Sequence, residues 1–550
     1  MSARVRYTAL YPLLFAATRV LYVAAQNPGQ FAVGDLMIVL ATTLMLVIAV
    51  YGMATLLFRG RGEGMLPALI TFIVLAWVFG ASPIEEWLTR EEIRFSPFIL
   101  AAVGAIASAF LMFQLVRRPH VLRVGATFLT LTYSLLVLYL SASIGIDWWR
   151  ARKYVAASRL VDELARPWPP THGTKGPSRD IYVLVLDEYA NAAVLKEVLG
   201  FDNREFEDSL RALGFYVPRS VNSNYAHTYL SLPSLLNAAQ VTAVETDLPR
   251  GSNDPTLLNH LVGTSRVARF LQERGYRFVF FPSAWWNSTR TSPIADSVVD
   301  VMPGFSIGRE LSRTEFRRVF RRNTISWHFY HEAAGDDAIV RSTLEGVSRL
   351  PAVPGPVFAF AHLMIPHPPN VFDRSCGTRR TEWGRDRAGY LANLECLNHM
   401  LLATVSTLIR DSDVPPVIVL QGDHGTMFRL FGDAPSLAQV PMAAARERFG
   451  AFGAYYFPPD GAERVIGDSV TVVNVLRHVL RHYFGADIAL ESDELFLSMG
   501  STPFEFRRMS RKQLAEGLDS IRPGGRATQP KTAGVAGALG SERTGPPAIH

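Results

Sequence analysis

Five apolar stretches fill the first 146 residues of this 550-residue chain, and they constrain the fold more than any other feature. Four of them, Leu36–Phe58, Met65–Ile84, Phe95–Val116 and Val124–Ile146, contain no charged residue. Each is about twenty residues long, enough for a helix to cross ~30 Å of hydrocarbon. The first, Tyr7–Ala25, is interrupted by Arg19, a residue that in a span must snorkel or face the bundle interior. A cleaved signal peptide is the rival reading of this stretch. It lacks a clean small-residue cleavage site, and four more apolar runs follow. The expectation is therefore a bundle of five transmembrane helices over residues 1–150.

Positive charge orients such a bundle. With the N-terminus in the cytoplasm, the inner segments hold Arg4, Arg6, Arg59, Arg61, Arg117, Arg118 and Arg123. The outer loops hold Arg90 and Arg94 beside Glu85, Glu86, Glu91 and Glu92. That asymmetry follows the positive-inside rule and sends everything after Ile146 out of the cytoplasm. The expected setting is a multi-pass cytoplasmic (inner) membrane protein whose large domain is extracytoplasmic or periplasmic. The two cysteines, Cys376 and Cys396, both fall on that side. They read as a disulfide of an oxidising compartment or as two buried thiols. The formal charge of +6 is concentrated in the inner loops and the tail, so it argues for no nucleic-acid partner.

Beyond the membrane exit at Trp148 and Trp149, Lys153–Leu164 reads as a juxtamembrane helix and Ala165–Arg179 as a Pro/Gly-rich linker. These place a connecting segment at 151–179. Ile181–Leu186 is a continuous apolar run, the pattern of a strand buried on both faces. Phe278–Phe281, Val357–Ala361 and Val417–Leu420 repeat it, with helical spacing at 206–213, Ser265–Arg274 and Ser469–Tyr483. Strands alternating with helices predict a doubly wound, largely parallel α/β domain over 180–500. Residues 501–550 read as a C-terminal extension, disordered from about Arg522 because large apolar groups are scarce there.

Four segments carry chemistry. Asp187 and Glu188 end the Ile181 strand, where sites form in open α/β sheets. Gln421-Gly-Asp-His-Gly425 ends the Val417 strand, and its Asp423-His424 pair offers mixed oxygen and nitrogen ligands for one divalent cation, Zn, Mn or Mg. The hydroxyl-rich segment Ser223–Asn237 puts Thr228 near a helix start, where phosphate is favoured. In His362-Leu-Met-Ile-Pro-His367-Pro-Pro, prolines fix the loop, so His367 can be held over a substrate oxygen; His362 reads as a supporting or core histidine.

In this order the segments resemble the alkaline phosphatase superfamily, and within it the sulfatase-like membrane branch of lipoteichoic acid synthases and phosphoethanolamine transferases. The likeness spans about residues 180–500 by motif and 1–150 by architecture. It implies an alkaline-phosphatase-like fold with a metal held by Asp187, Thr228, Asp423 and His424. It also implies a Thr228 nucleophile assisted by His367, with His362, Ser231 and Asn237 toward the substrate. Where the transferases carry Glu, this chain has Asp187. Ser231-Leu-Pro-Ser-Leu235 matches the sulfatase motif save its last residue, which makes Ser231 a rival nucleophile. Aligning Thr228 instead brings Leu235, Leu236 and Asn237 to the positions these residues take in the lipoteichoic acid synthases. The resemblance implies a metal-dependent transferase that moves a phosphoryl-linked headgroup, of phosphoethanolamine or phosphoglycerol type, from a lipid donor to an envelope glycan or lipid. The alternatives are a hydrolase on the same scaffold (sulfatase, phosphatase or phosphodiesterase) and a non-catalytic envelope binding protein.

Overall fold

The computed structural model describes residues 10–58, 65–90, 97–169, 177–283, 289–302, 310, 313–324, 336–379, 386–429 and 436–516. All five apolar runs fold as helices: α1 (Tyr11–Gln26), α2 (Val33–Leu57), α3 (Met65–Arg90), α4 (Pro97–Val116) and α5 (Pro119–Ala157). Two of them, α2 and α5, are by themselves long and apolar enough to cross a bilayer. The apolar helical stretches described in α3 and α4, Met65–Gly80 and Ala102–Val116, are shorter than a span, and α1 has 16 residues. Five full-length spans are thus not what the described helices display. Helix α1 packs against α2, α3 and α5. Arg19 lies in that setting, its guanidinium 6.0 Å from the centre of the Phe79 ring. The outer surface of the bundle is apolar: Leu57, Leu135, Leu138 and Tyr139 are all exposed. Among the described residues, only Val298 and Leu490 are large exposed hydrophobics beyond Trp149.

Helix α5 runs through the expected membrane exit at residue 150 to Ala157. There Ser158 caps a new short helix, Arg159–Ala165, by accepting from the Val161 amide. The juxtamembrane helix is thus two pieces with a break at Ser158. Arg152 and Lys153 lie over the Trp148 and Trp149 rings, at 3.7 Å and 5.6 Å.

The α/β region is built on a six-stranded sheet of β1 (Ile181–Leu186), β2 (Arg277–Phe281), β3 (Ser297–Val298), β4 (Val357–Leu363), β5 (Val417–Gly422) and β6 (Gly453–Tyr456), in the order β3-β2-β4-β1-β5-β6. All neighbours are parallel except β5 and β6. Strand β1 is buried at every position because both its faces are covered. Tyr182, Leu184 and Leu186 pack under Leu394, Leu397 and Leu401 on one face. Ile181, Val183 and Val185 pack under Leu232, Val267 and Val475 on the other. The doubly wound, mostly parallel sheet expected from the alternation of strands and helices is present.

Two local expectations shift. Ser469–Thr471 is a strand, parallel to Ser220–Asn222, and the helix begins only at Val472. The hairpin β7 (Glu494–Met499) and β8 (Thr502–Ser510) crosses residue 500, where the catalytic unit was expected to end. It crosses because Phe504 and Met509 on its second strand are buried in the same apolar clusters as Phe496 and Leu495 on its first. Residues 517–550, including the expected disordered tail, lie outside the described residues. Cys376 and Cys396 are joined in a disulfide that ties the loop after His367 to the helix Arg387–Asp411.

Candidate metal and phosphate site

Three adjacent strands deliver the acidic core of the site. In the register, Leu186 of β1 lies beside both Leu363 of β4 and Gly422 of β5. Asp187 and Asp423 therefore emerge side by side at the carboxyl ends, and His362 enters from the next-to-last position of β4. One ligand atom each from Asp187, His362 and Asp423 lies within 4.8 Å of the others, and all three residues are buried. His362 Nε2 stands 3.5 Å from Asp187 Oδ2. Burial first, and the Asp187 charge second, push the Asp423 carboxyl up to about 7. Burial drops His362 to about 4, so it is neutral near pH 7. Two buried carboxylates with a neutral imidazole form a donor set that a divalent cation fits, since it would satisfy both charges at once.

The turn after β5 depends on its glycines. A Cβ on Gly425 would sit 2.0 Å from the Glu447 carbonyl, and one on Gly422 would sit 2.3 Å from that of Tyr189. Close backbone approach, rather than a left-handed conformation, is what demands glycine here. Asp423 Oδ1 accepts from the amides of Glu188 (3.0 Å) and His424 (2.9 Å), which fixes its carboxylate. Glu188 itself has φ of 62°, a strained conformation for a non-glycine residue at a site.

Thr228 is the first residue of the helix α6 (Thr228–Asn237). Its Oγ1 lies 3.0 Å from His424 Nε2. The His424 Nδ1 is 3.1 Å from the Gly425 carbonyl, so Nδ1 carries the proton and Nε2 presents its lone pair. Burial, then the Arg448 charge, hold His424 well below the ordinary imidazole range. The same Nε2 is 3.2 Å from Asp423 Oδ2 and 3.9 Å from Asp187 Oδ1. Asp187, Thr228, Asp423 and His424, separated by more than two hundred residues in the chain, thus share one pocket of side chains. His362 stands beside the Asp187 and Asp423 carboxylates.

His367 lies at the edge of this group. Its amide donates to the Asp187 carbonyl at 3.1 Å, its Nδ1 to the Pro368 carbonyl at 2.5 Å, and its Nε2 is 3.7 Å from Glu188 Oε2. The other expected substrate residues are elsewhere. Ser231 points back into its own loop, with Oγ 3.0 Å from Ser223 Oγ and 3.4 Å from the Tyr225 carbonyl. The helical spacing explains this: three residues on from Thr228, Ser231 has its hydroxyl drawn to carbonyls left open in the 223–225 turn. Asn237 bridges the end of α6 to the Leu261 carbonyl (2.9 Å) and the Arg266 amide (2.9 Å), a purely internal brace.

Arg448 was missed in the sequence. Its guanidinium is buried, with Nε donating to the Ala226 carbonyl (2.5 Å) and one terminal nitrogen to Gly425 (3.1 Å). The other terminal nitrogen is 3.2 Å from His424 Nε2, and the nitrogen that donates to Gly425 is also 3.4 Å from Glu188 Oε1. Beside it, Glu447 accepts from Thr426, Phe428 and Arg429 and holds the loop after Gly425. Only the Arg-Glu-Arg run in a helix marked these residues, and such a run is ordinarily a solvated face.

No protein-family model and no curated protein matches this sequence. Among solved structures, the chain is similar to the integral membrane protein lipooligosaccharide phosphoethanolamine transferase A from Neisseria meningitidis. Identity there is 14%, over 88% of this chain and 95% of that one, with a TM-score of 0.37. It is also similar to the zinc complex of the C-terminal periplasmic domain of EptC from Escherichia coli (13% identity, 58% and 88% covered, TM-score 0.36). A third is a protein in the alkaline phosphatase superfamily from Vibrio parahaemolyticus (12% identity, 66% and 89% covered, TM-score 0.38). At such identities and TM-scores, these likenesses add nothing to what the site's own geometry supports.

Proposed function

We propose that this chain is a membrane-anchored, divalent-metal-dependent enzyme that transfers a phosphoryl-linked headgroup through Thr228. The observation that carries the reading is the Thr228 hydroxyl 3.0 Å from the lone-pair nitrogen of His424, inside a buried cluster of Asp187, His362 and Asp423. Asp187, His362, Asp423 and His424 would hold the cation, which when bound supplies positive charge to activate the Thr228 oxygen and offset charge on a phosphoryl group.

The chain's own residues account for the rest. The Thr228 proton passes to solvent as Oγ1 attacks phosphorus. The bond from phosphorus to the lipid alkoxide breaks, and His367, whose Nε2 lies 3.7 Å from Glu188 Oε2, protonates that leaving oxygen. The N-terminus of α6 and the Arg448 guanidinium offset charge on the equatorial oxygens. An acceptor hydroxyl on an envelope glycan or lipid then attacks the phosphothreonine, giving its proton to His367, and the phosphorus–Oγ1 bond breaks, so that the Thr228 oxygen takes up a proton from solvent and the hydroxyl is regenerated. Membrane-spanning helices, a cytoplasmic N-terminus and an extracytoplasmic α/β region fit this role, because they hold the site at the level of lipid headgroups. A hydrolase of the same superfamily differs only in using water as acceptor. Against the sulfatase form stands the placing of Ser231, whose hydroxyl faces Ser223 and not the acidic cluster.

The test is intact-protein mass spectrometry after incubation with Mn²⁺ or Zn²⁺ and a phospholipid donor. A headgroup-phosphate adduct on Thr228, absent from Thr228→Ala, is the expected result. An adduct or formylglycine on Ser231, or full metal-dependent turnover by Thr228→Ala, would overturn the mechanism.

A further inference from the structure

The helix Arg387–Asp411 braces the two turns that carry Glu188 and His367. It starts hard against the loop that follows β4: a Cβ on Gly389 would sit 2.5 Å from the Asn370 side-chain nitrogen. From there Tyr390, Asn393 and Cys396, spaced by three, share one stripe of the helix. All three are buried. Each holds a different segment. The Tyr390 hydroxyl donates to the Glu188 carbonyl at 2.9 Å. Asn393 donates to the Pro366 and Pro369 carbonyls, at 3.5 Å and 3.3 Å, and accepts from the Phe372 amide at 3.0 Å. Cys396 carries the bridge to Cys376.

These partners belong to the backbone that aims the site. Glu188 has a φ of 62°, which persists only where the surroundings hold it. The Tyr390 hydroxyl fixes its carbonyl, and Asp423 Oδ1 fixes its amide at 3.0 Å. Held at both ends, the turn sends the Glu188 carboxylate to 3.7 Å from His367 Nε2 and 3.4 Å from the Arg448 guanidinium. Pro366 and Pro369 flank His367 and Pro368, so the one Asn393 amide grips the loop on both sides of the histidine. The His367 amide then ties this loop to the Asp187 carbonyl at 3.1 Å. Burial holds Tyr390 well above the usual phenol range, so its hydroxyl remains a donor.

We propose that Tyr390 and Asn393 are positioning residues, which hold His367 and the neighbouring Glu188 carboxylate where His367 meets the leaving oxygen. This rests on the headgroup-transfer reading, in which His367 protonates that oxygen. Both residues act through the two turns and not on the substrate itself. A misplacement of about 1 Å in a catalytic group can cost ~10²-fold in rate, so two backbone anchors suffice to matter.

The leaving group supplies a readout that a merely structural role would not move. Phosphatidylethanolamine releases a basic alkoxide, which needs a proton as the phosphorus–oxygen bond breaks. The donor p-nitrophenyl phosphoethanolamine releases a phenolate that departs without one. (Phosphatidylglycerol and p-nitrophenyl phosphoglycerol replace this pair if the wild type prefers that headgroup.) Release of diacylglycerol or of p-nitrophenolate is followed in single turnover with the full-length, Mn²⁺-loaded protein in detergent, with His367→Ala as the reference for loss of the acid. Tyr390→Phe, which removes one hydroxyl and keeps the ring, should slow the lipid reaction at least about tenfold more than the p-nitrophenyl reaction, and Asn393→Ala should do the same. In the His367→Ala background, Tyr390→Phe should add no further difference between the two donors. A second measurement is independent of turnover: in the metal-free protein, hydrogen exchange at the His367 amide should quicken about tenfold in either variant. Tyr390→Phe decides the outcome alone if Asn393→Ala does not fold. Equal losses on both donors, a further difference in the His367→Ala background, or unchanged exchange at His367 would overturn the positioning role. If His367→Ala separates the donors and Tyr390→Phe does not, only that role falls. If His367→Ala slows both donors equally, or the wild type releases neither product, the headgroup-transfer reading falls and the positioning role with it.

Discussion

Lowering the pH should weaken metal binding at the acidic cluster by a calculable factor. Asp423 carries the effect, since burial and the neighbouring Asp187 push its carboxyl up to about 7. A cation must displace that proton to bind. With an acid constant near 7, about nine-tenths of Asp423 is ionised at pH 8 but only about 3% at pH 5.5. Apparent affinity should therefore fall about 30-fold between these values, roughly 2 kcal/mol at 1.36 kcal/mol per tenfold. The histidines contribute no slope in this window: His362 titrates near 4 and His424 well below its ordinary range, so both are already neutral. The assay is isothermal titration of the full-length protein with Mn²⁺ at several pH values. One proton should be released per metal at pH 6, and nearly none at pH 8. An affinity that is flat from pH 5.5 to 8 would show that Asp423 is not a ligand or not buried beside a second carboxylate. The same shift has a consequence for the metal-free fold. The folded state holds a proton on Asp423 that the unfolded chain loses, so this group's contribution to stability declines as pH rises from about 4 to 7. His362, whose constant is lowered, opposes that trend from about 4 to 6.5.

Further outcomes follow from the contacts around Thr228. Ser231→Ala should keep turnover and lose about 1 kcal/mol of stability with its hydrogen bond to Ser223, whereas Thr228→Ala should abolish the adduct; paired kinetics and denaturant melts separate the two. Arg448→Lys retains charge but loses the fork that holds Ala226 and Gly425, and turnover should drop on the order of 10²-fold at unchanged metal affinity. Gly425→Ala forces a methyl group against the Glu447 carbonyl, so it should destabilise the α/β region by about 1–3 kcal/mol or more, read as a lower thermal midpoint. Reducing the Cys376–Cys396 bridge, which closes a loop with sequence separation 20, should cost about 3 kcal/mol, measured as a shift in the urea midpoint with and without reductant.

Strand positions were legible because burial on both faces leaves an unbroken apolar run. Ile181–Leu186 is read from the chain with the same limits that the structure gives it. The start of α6 at Thr228 was legible too, from hydroxyls that precede an apolar helical face. Helix spacing misled at Ser469–Thr471, because its apolar rhythm fits a short strand as well as a helix. A sequence pattern also cannot say whether a helix is surrounded by lipid or by its neighbours, and α1 packs against three other helices of the bundle.

By itself, then, the sequence determined which stretches are apolar on every side and which strand ends carry Asp187 and Asp423. Burial and backbone conformation are local demands written in residue type. Only the tertiary structure decided that His362 joins those carboxylates while Ser231 and Asn237 turn away, and that Arg448 reaches His424 from another helix. Those choices depend on strand register and on where carbonyls are left to accept a hydrogen bond. Both are settled between segments far apart in the chain, so no single stretch of sequence encodes them.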